Sequence, residues 1–293
     1  MASLPDVAPC APYLSIPYSP YGYLPSLPAG IIFSILFGLI TAANLLNTIR
    51  TKYWWMGFFL TAGALLETIG WVGRTVAHEC VYNVTLSTMQ ISTLIMGPAY
   101  TQTGVYIALW LVLNVLGTEI SPVPPKIYLV VVFLVDCVCL LLQAIGGGIA
   151  GAAFESGAST QLGTDIMVAG IISQLVSGCV FLAFLGLVVP RAWRRLQERE
   201  NRRLALTMTA TVVSTVMMVL RGFYRSVELC QGWRGYLITN QGFVVGLDAV
   251  PMVVAMGGLA ILNPGVLLRG FEMKRTDGLD MEKDERIETS EYR

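Results

Sequence analysis

From Met1 to Ile49 the sequence contains no Lys or Arg, and across all 293 residues it contains one His and four Lys. Only 13% of residues are charged, about half of what a soluble globular chain of ordinary composition carries. Each shortage excludes something. A transmembrane haem held by paired imidazoles needs at least two His, and His78 stands alone. A metal site built on histidine fails for the same reason, so His78 reads as a loop residue and no cofactor or metal is expected. A retinal Schiff base needs a Lys in the last apolar run, but the lysines are Lys52, Lys126, Lys274 and Lys283. No G-x-x-x-x-G-K-[ST], D-D-x-x-D, H-E-x-x-H or G-x-S-x-G occurs, so neither a P-loop ATPase nor one of those intramembrane enzymes is expected.

What is present is apolar sequence in continuous runs. Hydrophobic residues make up 55% of the chain, and seven runs are long enough to cross a bilayer as helices. They cover approximately 29–49, 54–77, 87–116, 127–153, 165–189, 205–226 and 239–262. Because the runs are continuous rather than alternating, a barrel of strands is excluded, and the expected fold is an all-α seven-helix membrane bundle. Basic residues crowd every second gap: Arg50 and Lys52, then Lys126, then Arg191, Arg194, Arg195, Arg199, Arg202 and Arg203, then Arg269, Lys274 and Arg275. The other gaps hold Arg234 as their only Lys or Arg. Lys and Arg are retained in the cytosol during insertion, which predicts the N-terminus outside and the C-terminus inside.

Residues 1–28, rich in Pro and Tyr and without a basic start, are expected to form an extended external tail rather than a signal peptide. Residues 29–264 form the membrane domain, and 265–293 a charged, disordered cytosolic tail. Cys10, Cys80 and Cys230 all fall in segments assigned outside, where a bridge is permitted, with Cys80 to Cys230 the expected pair and free thiols the alternative. The one N-x-S/T sequon, at Asn83, also falls outside and is a candidate glycosylation site.

Polar residues inside apolar spans are costly unless paired or wet, so they mark candidate functional positions. Glu67 and Arg74 lie seven residues apart in the second span, on one helical face. Gln102 follows Gly97-Pro98 in the third span. Asp136 and Gln143 repeat the two-turn spacing in the fourth, ahead of Gly146-Gly147-Gly148 and Gly151, a run that permits close helix contact. Gln174 lies in the fifth span, and Gln241 and Asp248 in the seventh. Arg221, Arg225 and Glu228 form one charged stripe in the sixth, so the arginines need carboxylates from elsewhere, with Glu67, Asp136 and Asp248 available. Two readings follow: internal ion pairs that only set helix register, or a polar cavity that receives a charged head group.

The ordered set of these residues resembles the fungal RTA-like family, also called lipid-translocating exporters. It comprises Tyr23-Leu24-Pro25, Glu67-x-x-Gly70-x-x-x-Arg74, Gly97-Pro98-Ala99 before Tyr106, and Asp136 with Gln143-x-x-Gly146-Gly147-Gly148. It continues with Gly170, Gln174, Arg221-x-x-Tyr224-Arg225-x-x-Glu228 and Asp248-x-x-x-Met252, so the likeness spans roughly residues 23 to 265. One position departs: the family pattern has Glu seven residues before the last Asp, where this chain has Gln241. The resemblance implies a plasma-membrane or vacuolar protein that moves sphingoid long-chain bases, similar toxic amphiphiles or porphyrin-like cargo. Its expected partners are membrane lipids and lipid-like small molecules, with room for a homo-oligomer and no nucleic acid. A seven-span receptor that couples a ligand to a cytosolic partner through the basic stretch Arg191 to Arg203 is the alternative.

Overall fold

The computed structural model describes Cys10, Tyr21, residues 23–196, 202–232 and 235–268. Among these residues there are seven helices long and apolar enough to cross a membrane, and no strand. They are α1 (Leu27–Thr51), α2 (Trp54–Val76), α3 (Val84–Leu116), α4 (Pro125–Glu155), α5 (Gln161–Leu196), α6 (Arg202–Cys230) and α7 (Gln241–Leu268). The chain is an integral membrane protein. Residues 269–293, most of the expected cytosolic tail, lie outside the described residues, as does part of the basic stretch before α6.

The helix boundaries follow local chemistry. α1 carries Pro28 in its first turn, where the missing N–H costs nothing, and ends where Lys52 takes a left-handed conformation and returns its N–H to the Thr48 carbonyl. Asn83 caps α3, its side chain accepting from the Leu86 N–H at 3.1 Å. At the far end of α3, Arg195 of α5 donates to the Leu116 carbonyl at 2.6 Å, which satisfies one of the acceptors a helix end leaves open. In α7 the stretch Val244–Ala249 winds as a π-helix just before Pro251. Pro251 lacks an N–H and its ring crowds the carbonyl four residues back, and the wider turn relieves that conflict.

α3 is the central helix. In its most apolar stretch 67% of residues are buried, against 22% for α4 and α5. It packs on α2, α4 and α6; α1 joins α2 and α7, and α5 lies between α4 and α6. The outward faces of α1, α4 and α5 expose Ile35, Leu39, Val131, Leu141 and Val180, as lipid-facing surfaces require. α4 and α5 approach at Gly146 and Gly163, where a Cβ on Gly146 would sit 2.5 Å from the Met167 backbone nitrogen. The glycine run thus serves one helix contact at Gly146, while Gly148 faces open space.

The N-terminal segment is a strap rather than a free extended tail wherever it is described. Cys10 is joined to Cys80 in the α2–α3 turn by a disulfide. Tyr21 donates to Gln90 of α3 at 2.9 Å. His78 donates from Nδ1 to the Pro25 carbonyl at 2.7 Å, and Ser26 donates its N–H to Gln241 of α7 at 3.0 Å. The expected Cys80–Cys230 pairing is therefore wrong: Cys230 is a free, exposed thiol. Cys230 ends α6, which packs against α3, α5 and α7, whereas Cys80 follows α2, which packs between α1 and α3. Tyr21, Tyr23 and Pro25 contact Gln90, Arg74 and His78 at the ends of α2 and α3, the same ends at which Cys10 meets Cys80.

Candidate functional site

The site begins with a backbone defect. Pro98 removes the N–H that would bond the carbonyl of Leu94 inside α3, leaving a buried acceptor without its helical partner. Arg221 of α6 fills that vacancy, donating from Nη2 to the Leu94 carbonyl at 2.5 Å. The same nitrogen lies 3.5 Å from Glu67 of α2, and Nε makes a close ion pair with Asp248 of α7. That second contact is an ion pair without hydrogen-bond alignment, since Nε has no aligned acceptor. Arg221 therefore ties α2, α3 and α7 to α6.

Arg225, one turn on, completes the group. Its Nε donates to Asp248 Oδ1 at 3.2 Å, its Nη2 makes a second bond to Oδ2, and its Nη1 donates to Glu228 Oε2 at 2.9 Å. The fork-to-fork contact with Asp248 is the arrangement in which guanidinium and carboxylate bind most strongly. Tyr224 donates to the other Glu228 oxygen at 2.8 Å. All six side chains are buried. With every group ionised, three carboxylates face two guanidiniums, a formal excess of one negative charge away from water.

The other sequence-selected residues fall in three places. Gln102 and Gln174, with Arg221 and Arg225, line a narrow, partly open cleft of about 60 Å³ among α3, α5 and α6. Its remaining wall is apolar and includes Ile95, Ile171, Leu175, Met218 and Val219. Gln143 of α4 donates to Gln174 at 2.8 Å, and the buried Gln102 amide nitrogen has no partner. Arg74 lies under the strap, hydrogen-bonded to the Tyr23 hydroxyl and stacked within 5.7 Å of the Tyr23 and Trp71 rings. Asp136 is buried with neither oxygen hydrogen-bonded, beside Tyr106, Tyr128 and Ser177. Gln241 serves the strap through Ser26. Among the described residues no cluster of three or more His, Cys, Asp and Glu offers a metal site.

Glu67 and Asp248 thus converge on the arginine stripe, while Arg74 and Asp136 have surroundings of their own. Two participants escape a reading of polar side chains alone: the Leu94 carbonyl and Tyr224. The carbonyl had a signal, because a Pro inside a span always frees the acceptor four residues earlier. Tyr224 had one too, standing between the two arginines and one turn before Glu228.

The sequence profile of the family described as RTA1 like protein matches residues 60–270. The sphingoid long-chain base transporter RSB1 of Saccharomyces cerevisiae is 27% identical over 271 residues, covering 80% of this chain and 71% of that protein. Protoporphyrin uptake protein 1 of the same yeast is 26% identical over 214 residues, covering 72% of this chain and 69% of that protein. Protein RTM1, also from Saccharomyces cerevisiae, is 26% identical over 197 residues, covering 66% and 62%. No solved structure matches the chain. The profile covers most of the membrane helices and all the residues of the ion network, and on that match the chain belongs to the RTA1-like protein family.

Proposed function

We propose that this protein transports lipid-like amphiphiles across its membrane, with sphingoid long-chain bases as the foremost cargo class and porphyrin-like molecules as a second. The names of two relatives support a transport role. The observation that carries the reading is the cleft of α3, α5 and α6, in which apolar walls end on Arg221 and Arg225, with Glu67, Asp248 and Glu228 paired to them behind the wall. A sphingoid base has one ammonium, neighbouring hydroxyls and one long chain. The charged groups at the cleft wall are Arg221 and Arg225, so an ammonium reaches the excess carboxylate behind them only by displacing a guanidinium. Gln102 and Gln174 supply hydrogen bonds for hydroxyls, and the narrow cleft leaves the chain to lie along its apolar mouth toward lipid. The weakest ion pair, Arg221 to Glu67 at 3.5 Å, is where an entering ammonium displaces an arginine at least cost. With no ATP-binding motif in the sequence, movement is passive, proton-coupled or driven by another protein, and the relatives' names favour a transporter over an enzyme. It operates in the plasma membrane, with the strap outside and residues 269–293 in the cytosol.

The test is sphingosine binding to purified protein, with Glu67→Gln and Asp248→Asn compared to wild type at equal folded amount. Loss of a charge-assisted contact of about 1.5–3 kcal/mol lowers affinity by about tenfold or more. Unchanged binding in both variants would remove the network from the cargo site. A guanine-nucleotide-sensitive affinity would favour the receptor reading instead.

A further inference from the structure

Among the described residues, Asp136 is the one buried carboxylate of the spans to which the network offers nothing. It is 1% exposed, its oxygens have only the neutral hydroxyls of Tyr106 and Ser177 close by and no well-aligned hydrogen bond, and it makes no ion pair among the described residues. The groups facing it are Tyr106 from α3, Tyr128, Cys137 and Cys139 from its own helix, and Ser177 from α5. None of these is a cation. The Tyr106 hydroxyl lies within reach of both Asp136 and Ser177 without full hydrogen-bond alignment, and the Tyr128 hydroxyl is buried with no aligned partner, so three weakly satisfied polar groups share one place in the bundle. Aromatic rings close the surroundings: Tyr106 meets Phe181 edge-on at 4.6 Å, and Tyr128 stacks on Phe184 at 4.4 Å.

A carboxylate held this way in a membrane interior has no counter-charge, and an ionised form without one is the costliest state a side chain can adopt there. Something must neutralise it. A hydrated cation needs several oxygen ligands and room for them, and the packed rings leave little room. A proton needs neither. We propose that Asp136 is a reversible proton-binding site, separate from the cargo cleft, that takes a proton from one side of the membrane and releases it to the other as cargo moves. The proton adds to one carboxylate oxygen and leaves from it, with the Tyr106 and Tyr128 hydroxyls placed to pass it on. A path to the cleft exists within α4: Gln143 lies two turns from Asp136 on the same face and donates to Gln174 of the cleft wall. The coupling part of this proposal rests on the transport reading above, and the proton-binding part does not.

Two measurements on the full chain separate those parts. Infrared difference spectra of purified protein, taken as pH is varied, should show the C=O stretch of a protonated carboxylic acid that appears and disappears. Asp136→Asn should abolish that band, Glu67→Gln should leave it, and Asp136→Glu should keep a titrating band at a shifted frequency. A band insensitive to pH, no Asp136-dependent band at all, or a sodium-dependent change in its place overturns the site. Fluorescent sphingosine flux in proteoliposomes should rise with an imposed pH gradient for wild type, and Asp136→Asn should lose that dependence while still binding sphingosine. Gradient dependence that survives in Asp136→Asn overturns the coupling. If wild type moves no sphingosine under any gradient, the transport reading falls with the coupling, whereas a titrating Asp136 band still upholds the proton site.

Discussion

Arg225 concentrates the energetics of the bundle in one side chain. It donates to both oxygens of Asp248 and to Glu228, so its removal leaves three carboxylates facing one remaining guanidinium in a site closed to water. Breaking a buried pair by deleting one partner costs about 3–5 kcal/mol, because the group left behind keeps its desolvation penalty and loses its compensation. Arg225→Met, which keeps the apolar volume, should lower the melting temperature in detergent markedly. Arg225→Met combined with Asp248→Asn should recover part of that loss, since the second change removes one stranded charge. A double variant no more stable than the single one would mean that the stability lies in packing and not in the pair. Arg221 is less dispensable than its distances suggest: besides Glu67 and Asp248 it holds the Leu94 carbonyl that Pro98 releases, and no substitute from another helix reaches that acceptor among the described contacts.

At the scale of elements, the strap and the ends of α2, α3 and α7 act as one unit. Its described contacts are a disulfide to the α2–α3 turn and hydrogen bonds to Gln90, Arg74, His78 and Gln241. Tyr21 gives this unit a pH signature. Burial pushes its phenol up to about 12, with the hydrogen bond from Ser87 and the charge of Arg74 opposing the shift. A phenol raised above its unfolded value of about 10 contributes stability that is complete below pH 10 and is lost as pH rises toward 12. The expected outcome is that the strap loosens in that window, read as faster proteolysis of the N-terminal segment, and that Tyr21→Phe abolishes this step. Loosening that sets in below pH 9, or that persists in Tyr21→Phe, would assign it to another group. The strap also marks a limit of sequence reading. The Tyr/Pro-rich segment was visible, and so were three cysteines on one side, but the choice among cysteine pairs depends on which helix ends are neighbours. That is decided by packing between distant residues, and no local pattern records it.

For the whole molecule, length and continuity of apolar runs suffice to count seven helices, since backbone groups in hydrocarbon have no other way to be satisfied. The helix ends were less legible: α3 begins at Val84 and α6 reaches Cys230, because polar residues such as Asn83 and Glu228 find partners that keep the helix going beyond the apolar run. The arginine stripe was legible as a demand for carboxylates, while the identity of the donors, Glu67 and Asp248 but not Asp136, was a matter of which helices pack together. Orientation rests on a different kind of argument. Lys52, Lys126, Arg191, Arg195, Arg202 and Arg203 gather at one end of the bundle, and the strap with its disulfide occupies the other. Insertion retains basic loops in the cytosol, and disulfides persist on the oxidising side, so we propose on two independent pieces of chemistry that the disulfide end faces outside. In a Cys230→Ser background, a thiol placed at Val123 in the α3–α4 connection should react with an impermeant maleimide only after the membrane is opened. One placed at Ser159 in the α4–α5 turn should react in intact cells. Both positions are exposed, so burial does not limit reactivity at either. Labelling of the Val123 thiol from outside would invert the bundle, move the disulfide to the reducing side, and leave the basic clusters without the cytosolic role on which the orientation depends.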